Sequence, residues 1–271
     1  MRVARVFPRK TTATPEDDLA FFGAPPVGLK VDEVHISYVF SYDAGRVGVL
    51  YDQWEGVAPI KIGGPAAGDS GGDFTPGMYV KEGYVITSRG CPNNCWFCDV
   101  HKREGGIREL PITEGHNLLD SNILACSDKH IEDVFKMMKA QKVRAQLTGG
   151  LEAKILTAHH VSLLWDLRPA QMFFAYDTPD DFEPLVEAGE KLRYANFTRS
   201  HLRCYVLIGY PRDTFGNAER RLLQAWGAGF MPMAMLWKNK EGYEDKAWRK
   251  FQRTWARPAA TKAHVRALHA Q

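Results

Sequence analysis

The chain has 271 residues, 45% of them apolar and 25% charged, with a formal net charge of +3. That is enough for one large domain with a small extension and a sizeable buried core, and the composition is that of a soluble globular protein. The weak positive charge does not by itself demand a nucleic-acid partner, and five cysteines, an odd number with three in one short loop, exclude a secreted disulfide framework.

Residues 1–80 read as a small α/β extension. Residues 3–7 form a candidate strand; residues 34–40, alternating and rich in β-branched and aromatic types, form a second. Residues 47–51 continue as a partner strand or as the start of a helix. Residues 58–65 read as a strand ending in a tight turn at Gly63-Gly64, and the Gly-rich residues 66–77 as a loop. The first ten residues hold no apolar run of signal-peptide length, and no segment approaches a membrane span. No membrane contact and a cytoplasmic location are therefore expected.

Residues 84–87 read as a buried strand. Arg89-Gly90 then opens the loop Cys91-Pro92-Asn93-Asn94-Cys95-Trp96-Phe97-Cys98. The C-x3-C-x2-C spacing can turn three thiolates toward one point, which suits a multi-iron or zinc centre. Three protein ligands leave one corner of a four-iron cluster open to a small molecule. The ligands also leave the carboxyl end of a strand, where α/β folds place their chemistry.

Cys91, Cys95 and Cys98, with aromatic Phe97 before the last of them, resemble the radical S-adenosylmethionine (SAM) enzymes. The resemblance implies that the three cysteines hold a [4Fe-4S] cluster, that SAM chelates its open iron, and that Phe97 packs near the adenine. It implies reductive cleavage of SAM to methionine and a 5′-deoxyadenosyl radical that abstracts hydrogen from a substrate. An electron donor such as flavodoxin or ferredoxin is implied as well. The competing reading is a Cys3His zinc knot closed by His101, in a non-catalytic, zinc-stabilised nucleic-acid-binding protein. Zinc knuckles usually pair ligands from two separated halves, and no second Cys/His pair follows at such a spacing.

Beyond the loop, strand and helix patterns alternate. Strands are read at residues 117–120, 171–177, 202–209 and 230–237, a strand and its loop at 145–150, and helices at 131–141, 158–166, 182–192 and 217–228. Counted from Tyr84 these make six β/α units with right-handed crossovers. The resemblance implies an open (β/α)6 partial barrel over residues 81–237. Residues 1–80 resemble a shortened form of the Rossmann-like domain of cobalamin-binding members, but lack the D-x-H-x-x-G motif, so no cobalamin is expected.

A SAM site needs partners for a carboxylate, an ammonium, a ribose diol and an adenine, and strand ends should supply them. Asp120 and Asn122 follow the second strand and either orient SAM or substrate or form an Asx turn. The Gly-Gly-Glu that many family members carry near here is lacking. After the third strand, Gly149 and Gly150 allow close backbone approach, and the opposite charges of Glu152 and Lys154 suit the zwitterionic end of SAM. Tyr176 and Asp177 leave the fourth strand, Asp177 placed for ribose or substrate, with Asp180 and Asp181 as helix caps. Gly209 and Tyr210 end the fifth strand as in related Gly-aromatic-Pro segments. Arg212 holds an anion there, or forms a turn with Asp213 as N-cap. Cys126 is a candidate second thiol, a hydrogen-atom donor or covalent nucleophile; inert packing is the alternative for it and for Cys204.

Residues 238–271 form a basic tail. Trp248, Phe251 and Trp255 recur at helical spacing, and seven Lys or Arg follow Asp245 with no further acid. This reads as an amphipathic helix closing the barrel with a solvated basic face, compatible with phosphate-backbone contact. Among substrates, a nucleic acid or nucleotide is slightly favoured over a peptide or small metabolite.

Overall fold

The computed structural model describes residues 1–239, 241–242 and 245–270. Lys240, Tyr243, Glu244 and Gln271, all in the predicted basic tail, lie outside the described residues. Strands β1 (Val3–Val6), β2 (Ala20–Phe21), β3 (Glu33–Ser37) and β4 (Ile60–Gly63) form a parallel sheet in the order β2-β1-β3-β4. Helix α1 (Ala44–Trp54) joins β3 to β4. Alternation along β3 decides the faces. Val34 and Ile36 pack with Ala4, Val6, Val47, Leu50 and Trp54, while Glu33, His35 and Ser37 point the other way. Residues 47–51 are therefore helical. The strand expected over 34–40 stops at Ser37, because its partner ends at Gly63 and turns away at Gly64 (φ 98°) and Pro65.

The second sheet opens with β5 (Tyr84–Val85). Strand β6 (Ser88–Arg89) pairs antiparallel with β7 (Arg108–Glu109), a short hairpin enclosing the cysteine loop and helix α2 (Val100–Glu104). Then β8 (Asn117–Leu118), α3 (Asp128–Lys139), β9 (Gln146–Leu151), α4 (Ala158–Leu167), β10 (Gln171–Ala175), α5 (Phe182–Tyr194), β11 (Leu202–Ile208), α6 (Phe215–Gly227) and β12 (Met231–Leu236) alternate. The larger sheet is parallel throughout, in the order β12-β11-β10-β9-β8-β5. Sequential order with right-handed crossovers places the helices on one face, where α3, α4, α5 and α6 pack in succession.

The main core lies between that sheet and those helices. Leu147, Met172, Phe174, Cys204, Val206 and Phe230 are buried there, against the Ile131, Val134, Phe135 and Met138 face of α3 and its neighbours. Each fully buried side chain of this kind contributes about 1.5–3 kcal/mol relative to exposure. Alternation leaves Arg203, Tyr205 and Leu207 of β11 on the opposite face, in register with Phe173 and Ala175 of β10 and Met233 and Met235 of β12. Pro232, which lacks an N–H, is tolerated because β12 is an edge strand.

The tail is two helices, not the single one expected: α7 (Lys246–Trp255) and α8 (Pro258–His269). Pro258 takes the first position of α8 after an extended Arg257, where a continuing helix would lose a hydrogen bond. Trp248, Phe251 and Trp255 pack α7 on the core, and Gln252 Nε2 donates to Ala234 O (3.1 Å), which covers the β12 edge. Loops flanking the smaller sheet reach segments at both edges of the larger one. Beside β5, Arg89 Nε donates to Gly72 O (3.1 Å) and Arg108 Nη2 to Gly71 O (2.8 Å). Past β12, Lys238 Nζ sits 5.1 Å from the centre of the Tyr42 ring. No helix among the described residues is long and apolar enough to cross a membrane.

Candidate functional site

The cysteine loop is held by its stem. Asp120, at the end of β8, is 1% exposed. It accepts hydrogen bonds from Thr87 N (2.6 Å), Thr87 Oγ1 (2.7 Å) and Ser88 Oγ (2.7 Å). Burial raises its pKa, and the Ser88 and Thr87 bonds act against that rise. Gly90 turns the chain at φ 86°, where a Cβ would overlap the backbone of Gly105 and Gly106. Its N–H donates to Glu104 Oε2 (2.8 Å) and that of Cys91 to Gly105 O (3.1 Å), so α2 folds back and fixes the loop at both ends.

The three thiols share one electrostatic neighbourhood. Burial pushes Cys95 up to about 11, with Cys98 and Cys91 adding to the rise. Cys98 is raised by burial and by Cys91, against the opposing N–H of Val100. Such a group resists negative charge until a cation occupies its centre. Among the described residues, no three or more His, Cys, Asp or Glu side chains surround a single-ion position. A four-iron cluster asks something different of its ligands, since each thiolate bonds a separate iron.

Residues after β8 and β11 meet this loop, and residues after β9 and β10 lie near it. Asn122, after β8, donates from Nδ2 to Glu152 Oε2 (2.6 Å), after β9, and lies 3.8 Å from Cys91 Sγ. Its Oδ1 is buried without a partner among the described residues, an acceptor left for a ligand's donor. After β10, Asp181 and Asp177 are near enough to raise Cys95 further. After β11, Tyr210 meets Trp96 edge-on at 5.5 Å, and Trp96 meets Phe97 at 5.4 Å. The buried orphan acceptor, the crowded thiols and the exposed ring together fit a cationic cluster carrying a ligand with N–H donors and an aromatic base.

Asp177 is the acid of this mouth. Its Oδ1 accepts from Leu207 N (2.9 Å), extending the ladder where β10 has ended. Burial pushes it up to about 7; Asp181 adds to the rise, and the Leu207 bond and Arg221 oppose it. On the sheet face away from the helices, Leu207 pairs with exposed Met235, and exposed Ala175 pairs with Tyr205 two residues before Leu207.

Several expected ligand residues have other work. Gly149 and Gly150 lie inside β9 rather than in a following loop. Residues 148–150 oppose the single residue Phe173, a bulge. A Cβ at Gly149 would collide with the backbone of Leu119 and Asp120, and one at Gly150 would lie 3.0 Å from Ser121 O. The glycines thus serve chain-to-chain approach. Tyr176 is 3% exposed, its hydroxyl donating to Gln224 Oε1 of α6 (2.7 Å), so it faces the helix layer and not the mouth. Lys154 is exposed without an ion pair among the described residues, and Glu152 turns to Asn122 instead.

Gly209 (φ 71°) packs on Trp248 and Leu236, with its N–H donating to Asp213 Oδ2 (2.9 Å). Asp213 pairs with buried Arg221 (2.8 Å), and Thr214, not Asp213, caps α6; Arg212 is exposed. Cys126 sits at the stem, where burial pushes its thiol up to about 11 against the Ser88 hydroxyl. Cys204 is fully buried on the helix side. The reading from sequence overlooked Trp96, Thr87 and Ser88. An aromatic inside a polar loop, and two hydroxyls at the end of an apolar strand, were the available signals. The chain matches no known family model and no curated protein.

Proposed function

We propose that the chain is a radical SAM enzyme whose larger sheet is the wall of an open (β/α)6 partial barrel. One observation carries the reading: a single loop with three cysteines meets Asn122 after β8 and Tyr210 after β11, with Glu152 after β9 bonded to Asn122 and the acids after β10 within electrostatic reach of Cys95.

Cys91, Cys95 and Cys98 would hold a [4Fe-4S] cluster, leaving one iron for the amino and carboxylate groups of SAM. When bound, that pair supplies one-electron cleavage of the sulfonium to methionine and a 5′-deoxyadenosyl radical. The chain's own groups orient and shield. Asn122 and Glu152 present acceptors beside Cys91 for the ammonium, and Trp96, Phe97 and Tyr210 offer ring faces for the adenine. Asp177 is the acceptor for a ribose or substrate hydroxyl. The segments flanking the smaller sheet, fastened to Arg108 and Lys238, would be the cover that keeps water from the mouth.

Anaerobic purification with iron and sulfide assays tests the reading. A brown protein with about four irons and four sulfides is expected. With dithionite and SAM it should release methionine and 5′-deoxyadenosine. Alanine at Cys91, Cys95 and Cys98 should abolish colour and cleavage together. A colourless protein with one zinc, or a reduced holoprotein that leaves SAM intact, overturns it.

A further inference from the structure

We infer that the face formed by α7, α8 and the head of α6 binds single-stranded nucleic acid and leads it to the cysteine loop; that this strand is the substrate rests on the enzyme reading above. Charge is segregated along the chain. The whole carries +3, the last 26 residues carry +7 with no Asp or Glu, and the 245 before them therefore carry −4. Lys246, Lys250 and Arg253 recur at i, i+4 and i+7, opposite the Trp248, Phe251 and Trp255 face that α7 packs inward, and Arg257 follows at the extended joint before α8. With Lys262 and Arg266 of α8 they are exposed, and none of these six makes an ion pair among the described residues. Cations this dense and unneutralised favour a polyanion.

A solvated amphipathic helix needs only the charges. Exposed rings are the second observation. Phe215, at the head of α6, is 45% exposed, tilted against Trp248 at 4.3 Å and beside Phe251 at 5.5 Å. Trp248 packs on Gly209; the next residue, Tyr210, meets Trp96, which is 56% exposed. Ring faces thus run from the cationic stripe to the cysteine loop. Cations tracking a backbone beside aromatic platforms are the chemistry of single-strand recognition, since every unpaired base offers a face to stack. An acidic peptide offers charge without that face, and a duplex hides it. At the mouth the side chains change sign. Glu152 and Asp177 disfavour phosphate there, and Asp177, the acceptor not assigned to the SAM ammonium, is left for a donor of the substrate.

Fluorescence anisotropy of the full chain with labelled oligo(dT) and oligo(U), their duplexes and polyglutamate tests this. The single strands should bind at least about tenfold tighter than either control, as one stacked base allows. Their log–log salt slope should be about −3, for four or five phosphates at about −0.7 each. Lys250→Gln with Arg253→Gln should flatten that slope by about 1.4. Phe215→Ala should weaken binding about tenfold and leave the slope unchanged. No binding, equal binding of polyglutamate, tighter binding of duplex, or indifference to both variants overturns the inference. Binding is read without SAM or reductant. SAM cleavage without strand binding therefore overturns this inference alone, and strand binding without SAM cleavage overturns only the enzyme reading.

Discussion

Asp177 shows how one side chain's surroundings set its chemistry. Burial and Asp181 raise it to about 7, while the Leu207 N–H and Arg221 oppose the rise. The folded state therefore holds this proton more tightly than the unfolded chain does. The stability that this proton confers is complete below the ordinary carboxylate range and is lost as pH rises through about 7. Asp177→Asn keeps an acceptor for Leu207 N and removes the ionisation. Urea midpoints should place the variant above the native protein by about 1–3 kcal/mol at pH 8, the gap closing toward pH 4. A gap independent of pH would show that Asp177 does not titrate in the folded mouth. Asp120 is the contrasting acid: its carboxylate is committed to Thr87 and Ser88. Asp120→Ala strands buried donors and should cost about 2–4 kcal/mol in urea unfolding. If the variant kept full stability and lost only SAM binding, the ligand role expected from sequence would return.

Element by element, periodic signals carried through and close approaches did not. The buried set Ile131, Val134, Phe135 and Met138 on α3 and the alternation along β11 were plain in the residues. So was the cysteine spacing at a strand's carboxyl end. Gly149 and Gly150 were legible as special but not as a bulge, because the backbone that needs the room belongs to residues 119–121 on another strand. Tyr176 and Asp177 were legible as neighbours at a strand end. Which of them faces the mouth depends on which face the helices cover, and only the tertiary fold decides that. Pro258 marks a break that the cation spacing runs straight through. Two glycine substitutions separate these cases. Gly149→Ala should destabilise by about 1–3 kcal/mol, since backbone must move. Gly48→Ala, exposed in α1 with open space around it, should stabilise by about 0.5–1 kcal/mol. Thermal or urea unfolding reads both, and equal effects would remove the close-approach explanation.

At the scale of the whole molecule, the smaller sheet connects the two edges that the larger one leaves open. Arg108 fastens the loop after β4 to the hairpin beside β5, and Lys238 past β12 sits on Tyr42. Neither contact belongs to the main core, and exposed contacts of this kind contribute little to global stability. Their consequence is local: they set how often residues 68–77 lift from the hairpin that carries the cysteine loop. Arg108→Ala with Lys238→Ala should therefore leave the urea midpoint within about 1 kcal/mol of the native protein while hydrogen exchange over residues 68–77 rises. Under the proposed chemistry a looser cover also admits oxygen, so the brown holoprotein of the double variant should bleach faster in air. Raised exchange with unchanged bleaching would mean that the smaller sheet moves without guarding the cluster. Shielding would then have to come from the cysteine loop itself, where Glu104 and Gly105 already hold it closed against α2.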